Sequence, residues 1–357
     1  MASQKMTGRA RPAGFNLGTA THEQTCTGSR ETTEPIANGL VLEGGMTGHQ
    51  RIVRIRRNYN KWVGNQTLED YALRFTAKSA RKWSSRRVAN TAVGAISFLA
   101  LEAIGGAITI NCGFVNAVAA IIAVGGLIFL TSLPIAYYAA TYGVDIDLLT
   151  RGAGFGYLGS TVTSLIYASF TFLFFAIEAA IMSLALEMWF GLPLSIGYIV
   201  SSVIVIPLVT HGITFISRLQ LWTQPVWIIL HVLPFVAVAA YDPGSFESWT
   251  HYGGRAHQEG VSFSLVLFGA ASTVVFSLVA QIGEQVDFLR FLPVHDGQKS
   301  LSWWAACLGA GPGWIIPGLL KLLAGSFLAS LAIRHLVPAE HAAEPTQMYL
   351  VAFSHAF

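Results

Sequence analysis

The residues that could do chemistry lie where apolar ones are expected. Glu178 stands mid-way along the apolar stretch 157–186. A carboxylate there costs at least about 2.5 kcal/mol in a bilayer unless it faces a partner or a water-filled site. Phe174 and Ile181, four residues before and three after, share its helical face. An aromatic one turn from a buried acid can stack on a planar ligand while the acid hydrogen-bonds its edge. A protonated Glu178 would donate to a ring carbonyl, and an ionised one would suit a cationic ligand or a proton. The competing reading is structural: an acid satisfied by a neighbouring segment that carries Lys321 or Glu102. A second polar group, Gln281, Glu284, Gln285 and Asp287, follows the small residues Gly269 to Ser272. It is either a solvated loop or the second half of a discontinuous helix facing a cavity. A third, Glu102, precedes Gly105-Gly106 and suggests an unwound, polar-lined turn there. All of this is the chemistry of binding. No nucleophile–base pair or metal-ligand cluster stands out, and no catalytic site is expected.

Several features are decoys. Gly154-Phe-Gly156-Tyr-Leu-Gly159 matches the dinucleotide-binding fingerprint, but that motif needs a strand before it. Here apolar runs flank it, so the glycines are read as a tight turn. His211 and His231 are isolated and stay unassigned. Lys321 is read as snorkelling to an interface, with an ion pair to Glu102 or Glu178 as the alternative. Cys26, Cys112 and Cys307 are too far apart for a zinc site or a disulfide framework.

The elements that must position these groups are long and apolar. Of 357 residues, 53% are hydrophobic and only 11% charged, against about 25% charged in soluble domains. Mean hydropathy is +0.53. Apolar runs lie at roughly 88–111, 114–140, 157–186, 194–217, 219–240, 262–281 and 301–333, and an eighth begins near Met348. The reading is an all-α polytopic membrane protein with about seven complete transmembrane helices and the start of an eighth. Arg74, Lys78, Arg81, Lys82, Arg86 and Arg87 precede the first run. They place the N-terminus in the cytoplasm and the protein in a cell (inner) membrane, with Arg151, Arg218, Arg290 and Lys299 on the same side. Residues 1–50 read as a disordered tail and 51–87 as a basic, aromatic arm, either lying on anionic lipid or solvated; the permease-like domain is 88–357. The net charge of +3 is no nucleic-acid signature, because the basic residues flank apolar runs.

Tyr142-Gly-Val-Asp-Ile-Asp-Leu-Leu-Thr-Arg151 with Phe155-Gly-Tyr-Leu-Gly-Ser160 resembles the loop between the second and third helices of the nucleobase–cation symporter-1 family. His211-Gly-Ile-Thr-Phe-Ile-Ser-Arg218 with Pro225 resembles its fourth and fifth helices, and Val286-Asp-Phe-Leu-Arg-Phe291 the end of its sixth. The resemblance covers roughly 85–335 and implies a leucine-transporter-type inverted-repeat bundle, present here in part. It implies a nucleobase-like solute held between the first, third and sixth helices. The candidate substrate residues are thus Glu102, Phe174, Glu178, Gln281 and Glu284. The family's stacking tryptophan and hydrogen-bonding glutamine fall on Phe174 and Glu178, so an amide has become an acid. Its first-helix glutamine falls near Phe98. The coupling ion is Na+ or H+; a sodium site would use backbone carbonyls near Gly94 and Ser97 and hydroxyls of an eighth helix, little of which is in this sequence.

The arm Tyr59-Asn-Lys-Trp62 with Leu68 to Phe75, the stretch Phe98 to Glu102, and Gln281 to Phe291 also resemble the permease-like N-terminal regions of bacterial hybrid sensor histidine kinases. That resemblance implies a ligand-sensing input module in front of a kinase. Its partners would be membrane lipid, a small-molecule ligand, and a C-terminal kinase module or response regulator. On this reading the sequence is the front part of a longer protein and does not transport a solute by itself.

Overall fold

The computed structural model describes residues 76, 78, 81–255, 262–294 and 300–354. The expected tail at 1–50 and the arm from 51 to 75 lie outside the described residues, as do Lys299 and residues 355–357. Every regular element among the described residues is helical. The helices are α1 (Ser85–Gly94), α2 (Ala100–Cys112), α3 (Phe114–Tyr142), α4 (Ile146–Thr150), α5 (Gly156–Phe190), α6 (Leu194–Thr210) and α7 (Gly212–Tyr241). They continue with α8 (Gly244–Thr250), α9 (Leu265–Phe276), α10 (Ile282–Leu289), α11 (Leu301–Ala310), α12 (Ile315–Arg334) and α13 (Pro345–Ser354).

Five helical segments are long and apolar enough to cross a membrane: Phe114–Tyr142, Ile146–Phe190, Thr214–Tyr241, Leu265–Leu289 and Pro312–Arg334. Their outward surfaces are apolar, with Phe172 73% and Trp222 84% exposed. In water such surfaces would aggregate; against lipid chains they need no cover.

The first, sixth and seventh runs are each broken. The first is α1 and α2 with a gap at Ala95–Leu99. The sixth is α9, a 3₁₀ turn at Ser277–Gln281, then α10. The seventh is α11, a turn at Pro312–Trp314, then α12. The gap in the first run is not at Gly105-Gly106, where the sequence suggested it. Those glycines lie inside an intact α2. A side chain at Gly105 would meet the backbone of Leu322, and one at Gly325 the backbone of Glu102. The glycines are there so that α2 and α12 can touch backbone to backbone, a usual role of small residues between membrane helices. The boundary between the fourth and fifth runs also moves. It falls at His211, with Gly212 at φ 77°, rather than after Arg218. The His211 ring bonds the Pro207 carbonyl at 2.5 Å, so this histidine finishes a helix end. The last helix starts at Pro345, three positions before Met348; proline suits the first helical turn because its missing N–H has no partner there anyway.

The loop from Tyr142 to Ser160 is held by its own charges. Asp145 accepts from the Leu148 amide at 2.9 Å and caps α4. Asp147 and Arg151 pair at 2.9 Å, and the Arg151 guanidinium lies over Tyr157. The fingerprint glycines make a turn of wide helical pitch, with Gly154 at φ 104° and Gly156 at φ 64°. Only glycine takes such angles readily. Before α1, Arg81 bonds the carbonyls of Ala140, Thr141 and Tyr142. A cation thus closes the C-terminal end of α3, where carbonyls lack partners. Trp83 stacks on Phe291 at 4.7 Å, and Arg87 lies over Trp83. Arg81, Trp83 and Arg87 therefore pack on protein, while Lys82, Ser84 and Arg86 are exposed.

The contact of α2 with α12 can be tested with two glycines. Gly325→Ala should destabilise the protein by about 1–3 kcal/mol, because backbone cannot yield as a side-chain tip can. Gly126, with open space beside it, should accept alanine within about 0.5 kcal/mol. Equal melting of the two variants in detergent would contradict the contact.

Candidate functional site

The break in the first span leaves backbone groups that lipid cannot satisfy. At the end of α1 the hydrogen bonds tighten: Ile96 N donates to Val93 O at 3.3 Å and Ser97 N to Gly94 O at 3.4 Å. At the start of α2 the N-cap position is Leu99, whose side chain offers no acceptor. Glu178 of α5 supplies one from across the bundle. Its Oε1 accepts from Ala100 N at 2.6 Å, and the Leu99 amide also bonds the carboxylate. A negative group at a helix N-terminus meets both the free N–H groups and the positive end of the dipole. Glu178 is thus the cap that the first span lacks.

The break in the sixth span puts its polar residues indoors. Gln281 and Gln285 are 4% and 2% exposed, so the solvated-loop reading fails. Asp287 belongs to a charged group with Arg290 and Asp145 at the end of this span. A small cavity of about 20 Å³, room for about one water, lies between the first, sixth and seventh spans. Ile96, Phe98, Gln281, Glu284, Gln285 and Trp314 line it. Gln285 Oε1 accepts from Ser132 Oγ at 2.7 Å and from Trp314 Nε1 at 3.0 Å. An indole N–H only donates, so this atom of Gln285 is the oxygen and the other is the NH₂. Gln285 Nε2 is then a buried donor without a partner, and Gln281 Oε1 is a buried acceptor without one. Each such orphan costs about 1–3 kcal/mol.

The structure divides the residues singled out from sequence into separate groups. Gln281 and Glu284 line the cavity. Phe174 reaches it indirectly: its ring meets Phe98 edge-on at 5.6 Å and Phe170 at 4.5 Å. Glu178 holds the backbone just after Phe98. Glu102 is elsewhere. It is fully buried, and its Oε1 lies 2.7 Å from Lys321 Nζ and 3.2 Å from His231 Nε2. Lys321 is therefore an ion-pair partner and does not snorkel, and His231 is part of the same cluster. Gly94 ends α1 and Ser97 lies in the break. The Gln220 side chain rests on Gly94, and its Oε1 is buried without a partner. A neutral oxygen beside unwound backbone is the donor type a hard cation takes. Among the described residues, no group of three His, Cys, Asp or Glu could hold a metal ion. Trp314 and Ser132 were not singled out from sequence. Trp314 had a signal, the interruption Gly311-Pro-Gly313 just before it; Ser132 had none.

No protein-family model and no curated protein matches the sequence. Among solved structures, the chain is similar to Mhp1, a nucleobase-cation-symport-1 family transporter, in a closed conformation with bromovinylhydantoin bound. The TM-score is 0.57 and the identity 16%, over 80% of this chain. The chain spans 66% of the length of that structure. At this identity the likeness shows the fold: a polytopic all-α membrane protein with the helix bundle of that transporter.

The cap makes a prediction that needs no ligand. Glu178→Ala should cost about 1.5–3 kcal/mol, the range for hydrogen bonds to a charged group. Glu178→Gln keeps an acceptor oxygen and should lose less. The check is thermal unfolding in detergent, and an alanine variant that melts like the parent would remove the cap.

Proposed function

We propose that this chain is a carrier-fold membrane domain that binds a small planar solute, of nucleobase or hydantoin type, between its broken first and sixth spans. The observation that carries the reading is a pair of unpaired amide atoms on two residues that line the cavity. A ring lactam presents N–H and C=O side by side. It would give Gln281 Oε1 a donor and Gln285 Nε2 an acceptor, with Phe98 and Trp314 as apolar neighbours. Orphaned buried polar atoms call for such partners. The cavity as it stands is far smaller than a nucleobase, so binding requires the two broken segments to separate. That is the motion carriers of this architecture use, moving one bundle against another around a fixed site. The likeness to a symporter fold supports a solute coupled to a cation. Gly94, Ser97 and Gln220 are the residues that would hold sodium. From the bias of basic residues, the N-terminus is placed on the cytoplasmic side of the cell membrane. The reading as the sensing part of a kinase rests on the sequence resemblance alone.

The test is ligand-induced stabilisation in detergent with uracil, cytosine, allantoin and hydantoin as probes. At least one should raise the melting temperature saturably. Gln281→Met removes an orphan without breaking any hydrogen bond described above. It should leave the unliganded protein as stable as before and weaken binding about tenfold or more, about 1.4 kcal/mol. No shift with any probe, or an undiminished shift in the methionine variant, would overturn the reading.

A further inference from the structure

Three titratable side chains from three spans meet inside the protein, apart from the solute cavity. Glu102 on α2 pairs with Lys321 on α12, and Lys321 Nζ also lies 2.7 Å from His231 Nε2 on α7. His231 Nδ1 is 2.7 Å from the Trp227 carbonyl. A carbonyl only accepts, so Nδ1 carries the hydrogen and Nε2 of the neutral ring accepts from Lys321. One ammonium thus bridges a carboxylate and an imidazole.

A buried ion pair is weak support for a purely structural role, because apolar residues of similar size hold a fold as well. Two further observations point to an exchangeable proton. First, the cluster is not closed on itself. Glu102 Oε2 is buried without a hydrogen-bond partner, and so is the Tyr349 hydroxyl, on a ring 6.0 Å from His231. Second, it borders an open, mostly apolar cleft. His231, with its side chain 18% exposed, and Lys321 line an open cavity of about 420 Å³. Phe246 and Trp249 of α8 also line that cavity. The helix α8 lies beside the polar pair of Asp242 and Arg334, 3.2 Å apart.

We propose that Glu102, His231 and Lys321 form a proton-binding site that sets the position of α2. A hydronium ion gives its proton to His231 Nε2, leaving water, and the ring passes it to Glu102 Oε1, 3.2 Å away. The ring returns to its neutral form and no electron moves. The product is a neutral acid beside an ammonium that has lost its counter-charge. An unpaired buried ammonium is costly. Either Lys321 swings into the open cavity, or α2 and α12 part. Both outcomes loosen the helix that Glu178 caps, directly after the cavity wall at Ile96 and Phe98. The titratable groups that face Glu102 are Lys321 from α12, His231 from α7, Glu178 from α5 and Tyr349 from α13. The proposal goes beyond solute binding and adds a proton site separate from the cation position at Gly94, Ser97 and Gln220.

Infrared difference spectroscopy on the whole chain in lipid nanodiscs, without solute, tests this across roughly pH 5 to 8, where an imidazole titrates. A protonated-carboxyl carbonyl band should grow as the pH falls and should be missing in Glu102→Gln. In His231→Gln its midpoint should move by about one pH unit, as expected of coupled groups. Should Glu102→Gln fail to fold, the His231→Gln shift decides alone. A spectrum that neither change alters, or an unmoved midpoint, would overturn the proposal. Because no solute is present, this failure is separate from failure of the solute site.

Discussion

The hydrogen bond from Ala100 N to Glu178 is the interaction on which the rest of the bundle depends. A helix broken inside a membrane exposes N–H groups that nothing in lipid can take up. The chain meets that constraint with a carboxylate from another span, and three placements follow. The cap fixes where α2 begins and so holds Phe98 at the cavity. It sets the register that carries Glu102 to Lys321. It also aligns Gly105 and Gly325 with the facing backbones, so that α2 and α12 can approach without side chains between them.

Two polar centres result, and their chemistry differs. Between the first, sixth and seventh spans lie two amides, with one donor and one acceptor unused, and the carboxyl of Glu284. Between the first, fifth and seventh lie a carboxylate, an ammonium and an imidazole. Amides recognise an uncharged ring without paying to bury its charge. The ionic cluster can change its charge by one proton. Both centres touch the broken first span, the cavity at Ile96 and Phe98 and the ionic cluster at Glu102, and the proposal couples them through that span. Coupling of this kind needs one element with two positions that both sites bias.

Much of this was legible in the sequence, for physical reasons. Apolar length reports on the bilayer, so the runs were visible. A carboxylate or amide inside such a run must have a partner, so Glu178, Gln281 and Glu284 stood out. What the partner would be was not legible. Glu178 bonds a backbone 78 positions away, and no side-chain pattern records a backbone acceptor or donor. Of the two acids offered as partners for Lys321, Glu102 is the one it pairs with; His231 looked ordinary because both residues it meets are remote from it in sequence. The break at Ala95–Leu99 contains neither glycine nor proline, the usual signs of one. The glycine pair that seemed to mark it instead serves a helix contact. Pro225 and Pro234 sit within an unbroken α7.

The central claim is that the two broken segments form one solute site. Hydrogen exchange of the backbone amides at 95–99 and 281–285 measures it most directly, on the whole chain in nanodiscs with and without a stabilising ring lactam. The account predicts that the solute slows exchange in both segments together, with the amides of Leu99 and Ala100 slow even without it. Protection in only one segment, or in neither while the solute is bound, would contradict it.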